Sequence, residues 1–217
     1  MQKTFLKIAG VGAAIILLAL ASFAAKEKPA GTNLSPEQVE ANYTRTIESR
    51  TADILQALGL NDTNRAAQVH DIIIAQYRAL RAWHDDNDAK LKAAKTDPNA
   101  EAQIRASLKK QHDAFLSRLA ENLTPEQVEK VKDKMTYGKV QFTYAGYVAQ
   151  YPGLSDANKE KILELLKEAR EEAMDGGSAE EKTAIFQRYK GKINNYLSAQ
   201  GIHPAKQKPA AKPPNDK

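Results

Sequence analysis

The heptapeptide LSPEQVE at residues 34–40 recurs almost unchanged as LTPEQVE at 123–129, and it dictates where two helices begin. With Ser35 as N-cap, Pro36 takes the first helical position, where a missing N–H costs nothing. Gln38 takes the third, from which its side chain can return to the N–H of the cap, and Leu34 can staple onto Val39. Thr124, Pro125, Gln127, Leu123 and Val128 repeat each part. A second pair of related phrases, GLNDTN at 59–64 and GLSDAN at 153–158, ends one apolar-patterned segment and caps the next through Asn61 or Ser155. The order of phrase, helix, Gly-Leu turn and helix is the same both times. The chain therefore reads as a divergent internal duplication with halves 34–122 and 123–202.

Periodicity extends this to an all-α fold. Helical segments are expected near 35–58, 62–95, 99–121, 124–150 with a break, 155–175 and 178–200. Val69, Ile73, Tyr77, Leu80 and Leu91 form one stripe at steps of three and four or their multiples, and Phe186, Tyr189, Ile193 and Leu197 form another. No stretch sustains a period-two pattern bounded by turns. Short connections predict an antiparallel helical bundle of about six helices.

The ends read differently from the body. Lys3 and Lys7, the apolar run Ile8–Leu20 and the small residues Ser22 and Ala24 have the form of a secretory signal peptide over 1–24. A linker, 25–33, and a Pro- and Lys-rich, disordered tail, 203–217, bracket the helical domain of 34–202. The expectation is export to the periplasm or beyond, with no stable membrane anchor after cleavage. There is no cysteine, which excludes disulfides and thiolate metal sites. Residues 34–202 hold 24 Lys and Arg against 25 Asp and Glu. A body so nearly neutral lacks the basic face that nucleic acid requires.

Two regions carry candidate binding residues. In 135–153, MTYGKVQFTYAGYVAQYPG, the rings of Tyr137, Phe142, Tyr144, Tyr147 and Tyr151 crowd between Gly138, Gly146 and Gly153. Packing at an irregular junction explains such a cluster, and so does a platform for sugars, which offer C–H faces to a ring and hydroxyls to its polar tip. Asn194, Asn195 and Tyr196 add amide and phenol groups from the last helix. The second region is QYRALRAWHDDNDAK, 76–90. Continuing the stripe from Leu80 reaches His84 and Asp88 beside Trp83 and Asp85, which marks either a solvated helix end or a titratable site. His84, Asp85 and Asp88 make at most a partial metal-ligand set. Neither a phosphate loop nor a zinc-protease helix is present, and no cofactor is expected.

Several separated phrases carry a resemblance. MTYG, FTYAGY, EAREEAMDGGSAEEK, KINNYLSAQG and QYRALRAWHDDND are similar to an uncharacterised family of exported bacterial proteins, a domain of unknown function described as sugar-binding. The resemblance implies a carbohydrate partner and assigns no contact. The Leu-Thr-x-x-Gln phrase at Leu123, Thr124 and Gln127, echoed at Leu34 and Gln38, resembles the Spy/CpxP-type periplasmic chaperones. That likeness implies unfolded client proteins instead. The leading expectation is a non-enzymatic carbohydrate binder. A client-binding chaperone is the alternative, and a polysaccharide hydrolase or lyase using Asp85, Asp88 or His84 is the third.

Overall fold

Both copies of the repeated phrase open helices, as their chemistry requires. In a computed structural model, which describes residues 34–205, Gln38 Oε1 accepts from the Ser35 N–H at 2.8 Å, and Ser35 Oγ accepts from the Gln38 N–H at 3.3 Å. Thr124 and Gln127 make the same reciprocal pair at 3.1 and 3.3 Å. The expected signal peptide and linker, and the tail beyond residue 205, lie outside the described residues.

Seven helices and no strand occur among the described residues. They are α1 (Pro36–Leu58), α2 (Thr63–Ala93), α3 (Pro98–Ala120), α4 (Pro125–Met135), α5 (Lys139–Gln150), α6 (Asp156–Met174) and α7 (Ala179–Ala199). The fold is an all-α bundle. The count is seven rather than about six because the expected break in 124–150 makes two helices. None of them is long and apolar enough to cross a membrane. One cap also moves: Asp62, not Asn61, starts α2, its carboxylate accepting from the N–H groups of Asn64 and Arg65 at 2.9 and 3.1 Å. A full negative charge at a helix N-terminus is the stronger cap. Ser155 starts α6 as expected.

The break is a Schellman turn with an unusual occupant. The Gly138 N–H reaches the Asp133 carbonyl at 2.8 Å, and the Tyr137 N–H reaches that of Lys134 at 3.1 Å. The residue after the cap, normally glycine, is here Tyr137 at φ 60°, followed by Gly138 at φ 63°. A side chain in the left-handed region costs roughly 1–2 kcal/mol.

Two units divide the chain, Met1–Val39 and Glu40–Lys217. Of the first, residues 34–39 form the exposed opening turn of α1. The second contains two large apolar cores and a small third cluster of Leu80, Trp83 and Leu108. Ile47 and Ile54 of α1, Val69 and Ile73 of α2, Leu119 of α3 and Val131 and Met135 of α4 build one, joined by Met174. Val140 and Tyr147 of α5, Ile162, Leu166 and Ala169 of α6, and Phe186, Ile193 and Leu197 of α7 build the other. The break thus assigns α4 to the first core and α5 to the second. Neighbouring helices run antiparallel: Tyr43 donates to the Tyr77 carbonyl while Glu48 meets His70, and Arg188 meets Glu172 while Tyr196 donates to Asn158.

Candidate functional site

α5 and α7 face each other across a groove of about 1090 Å³. The sequence positions its parts by helical spacing. Tyr147 and Tyr151, one turn apart, point inward and stack with ring centroids 5.9 Å apart and planes at 25°. Tyr147 Oη donates to Asn194 Oδ1 at 2.8 Å and lies 3.1 Å from the Lys190 carbonyl, which fastens α5 to α7. Burial, with Tyr151 nearby, pushes the Tyr147 hydroxyl up to about 12, so it remains a donor through the neutral range.

Along the rim Phe142 is 81% exposed. Gln150, Gln187, Lys190 and Asn194 present polar groups to the same space. Gly146 on α5 and Gly191 on α7 also line it, and a Cβ at either would meet nothing within 4 Å. Glycine inside a helix costs up to about 1 kcal/mol relative to alanine, so both leave the groove wide at the expense of helix stability. The Ala205 N–H donates to the Gln150 carbonyl at 2.9 Å and brings Pro204 and Ala205 to the groove's end.

The residues proposed from sequence separate into four places. Tyr147 and Asn194 are in the groove. Tyr144 is half-buried against the second core, Asn195 is exposed, and Tyr196 donates to Asn158 Oδ1 at 2.9 Å. Tyr137 lines a different cavity, with Arg50 and Tyr77. Trp83 does not share the tyrosine groove: its indole is buried with Leu80 and Leu108, and its N–H donates to Ser107 Oγ at 2.8 Å. A tryptophan so covered by α3 presents no free face. Asp85 is exposed beside Arg81. Asp88 is 64% exposed, because the packed face of α2 has passed to Trp83, Asn87 and Leu91 there, yet it accepts from His84 Nδ1 at 2.8 Å.

His84 leads to a polar junction that the sequence reading missed. Its Nε2 donates to the Asp175 carbonyl at 2.7 Å, while Nδ1 faces Asp88. Burial alone lowers its pKa, and the bonds to Asp175 and Asp88 outweigh that and raise it. His112 on α3 lies between the Asp175 carboxylate, 3.0 Å from Nδ1, and that of Glu171, 3.6 Å from Nε2. Every partner is an acceptor, so these contacts favour the doubly protonated form of both rings. Asp175 and Glu171 push His112 up to about 9. Burial would raise Glu171, but His112, Lys132 and Arg170 together bring it down to about 2. Lys182, buried, donates to the Ala173 and Met174 carbonyls at 2.7 and 3.0 Å, and burial lowers it to about 8. His112 was recoverable from sequence, since it continues the stripe of Leu108, Phe115 and Leu119. Among the described residues no three His, Cys, Asp or Glu side chains are grouped to hold a metal ion.

Comparison with known proteins adds one match. A family model described as "Protein of unknown function (DUF3826)" covers residues 44–211. No curated protein matches the chain.

Proposed function

The chain belongs to this family of unknown function, and from the geometry of its groove we propose that it is an exported, non-catalytic carbohydrate-binding protein. The observation that carries the reading is Phe142, 81% exposed beside a row of amides. A bare ring on a helix is poorly placed in water and well placed under the C–H face of a sugar. Gln150, Gln187 and Asn194 can both donate and accept, as a sugar's hydroxyls demand. The groove's volume lies at the upper end of small-ligand sites, which suits more than one sugar ring. Gly146 and Gly191 let such a chain approach the helix backbones. Lys190 is the one charged side chain lining the groove among the described residues, so the ligand is neutral or weakly acidic.

The test is a glycan array followed by calorimetric titration of the best ligand. Phe142→Ala and Asn194→Ala should each weaken binding at least tenfold, and Tyr144→Ala should leave it unchanged. A blank array, or equal affinity in all variants, defeats the proposal.

A further inference from the structure

A second cavity, of about 460 Å³, lies between α1, α2 and the turn joining α4 to α5. We infer that it binds an organic carboxylate carried on a single ring, independently of the sugar groove. Its walls are Ile54, the rings of Tyr77 and Tyr137, and the backbone at Gly138. Its polar groups are those a carboxylate needs.

The Arg50 guanidinium lies 5.7 Å from the centre of the Tyr137 ring and makes no hydrogen bond or ion pair among the described residues. Its neighbours differ. Arg78 and Arg81 are held by Glu40, and Arg170 by Asp133 and Glu129. Arg50 therefore keeps a complete fork of donors, the group that matches a carboxylate two bonds at a time.

The acids and lysines of the cavity do not neutralise it. Asp133 is bound to Arg170 at 2.6 Å. Lys130 donates to the Ala57 carbonyl at 3.2 Å. Asp53 is exposed on the rim, and Lys134 faces it without a partner among the described residues. The Tyr77 hydroxyl, also unbonded among those residues, is pushed up to about 12 by burial and so is a donor. A ligand with a fork-matching anion at one end and a ring for Tyr137 at the other, presenting an aromatic face or the C–H face of a pyranose, fits this arrangement.

Tyr137 supplies an independent reason. It occupies the left-handed position of the Schellman turn, where glycine is the ordinary residue, and is 47% exposed. The ring belongs to none of the apolar cores; its one cation–π partner among the described residues is the Arg50 guanidinium. Unfavourable backbone held at a cavity wall marks a position kept for what its side chain touches.

Two sources share this chemistry, a free aromatic acid and the uronate of an acidic sugar. Benzoate and glucuronate are therefore titrated separately into the full mature chain, with glucose and inorganic phosphate as controls, following the backbone amides of Tyr137 and Gly138 by NMR. The expected result is saturable shifts with at least one carboxylate and none with glucose or phosphate. Arg50→Gln should weaken that binding at least tenfold. Tyr137→Gly should abolish it while holding Tm, since it restores the residue the turn prefers. Phe142→Ala should leave it unchanged, which separates this cavity from the groove. Response to benzoate alone identifies an aromatic acid, and response to glucuronate alone a uronate. Failure of both carboxylates, binding of phosphate in their place, or undiminished affinity in Arg50→Gln overturns the inference.

Discussion

Removing the charge of His112 should unfasten α3 from α6, and the size of the effect follows from its surroundings. The side chain is 12% exposed, so solvent screens it little. Asp175 and Glu171 hold it directly. Glu171 is shared with Lys132 and Arg170, and Arg105, Lys109, Asp113, Glu172, Glu181 and Arg188 line the adjoining cavity. The folded pKa of about 9 against an ordinary 6.5 corresponds to roughly 3 kcal/mol of folding free energy. Because the folded value is the higher one, this stabilisation is complete below pH 6.5 and disappears as pH rises through 9. Lys182 acts in the opposite sense. Its folded value of about 8 lies below the ordinary 10.5, so its buried charge is a penalty that is relieved between those two pH values. Comparing wild type with His112→Gln removes most of the lysine's contribution, apart from what the two cations share through Asp175. Urea unfolding followed by circular dichroism should show wild type ahead by about 3 kcal/mol at pH 6 and by less than about 1 at pH 9.5. In thermal melts the pH 6 gap is on the order of 6–12 °C for a domain of this size. A gap that does not change with pH, or a His112 ring titrating near 6.5 by NMR, refutes the reasoning.

Gly177→Ala would place a Cβ 2.7 Å from Cγ of the His84 ring. It should cost about 1–3 kcal/mol, and His84→Ala in the same chain should return part of that in a double-mutant cycle. Gly191→Ala meets nothing within 4 Å. It should gain about 0.5–1 kcal/mol in urea unfolding while weakening any glycan found to bind the groove. Thr124→Ala removes one half of the α4 capping box and should lose about 1 kcal/mol; Ser35→Ala, in a turn exposed throughout, should lose less. Leu197→Ala, fully buried in the second core, should lose about 2–5 kcal/mol.

What could be read from sequence was whatever is local. The capping boxes at Ser35 and Thr124, the stripes on α2 and α7, and the break near Gly138 follow from residues within one or two turns of each other. The α2 stripe reaches His84, which is buried, but not Asp88, because the packed face drifts to Trp83 and Leu91, a drift that a strict count of three and four does not report. Trp83 illustrates the same limit. Whether an indole is free depends on α3, whose Ser107 is distant in sequence. The groove was half legible. Tyr147 and Asn194 were named, but Phe142, Gln187 and Gly191 gain meaning only when α5 lies against α7. The junction of His84, His112 and Asp175 joins three helices, and no local pattern reports such a meeting.

The short turn at 136–138 connects these observations. α1 runs unbroken for 23 residues after its copy of the phrase, whereas the second copy yields α4 of 11 residues and α5 of 12. A helix broken at such a turn can aim its two parts at different cores. Broken at Tyr137, the chain serves two: Val131 and Met135 enter the first, and Val140 and Tyr147 the second. α5 then packs by one face only. Its other face, with Phe142 and Gly146, is left uncovered opposite Gly191, and the strained tyrosine that makes the break lines a cavity of its own. Both proposed binding sites are therefore consequences of one turn, in which Tyr137 and Gly138 are both left-handed. A variant that heals the turn into a straight helix should lose both at once, whereas Phe142→Ala and Arg50→Gln should each remove only one.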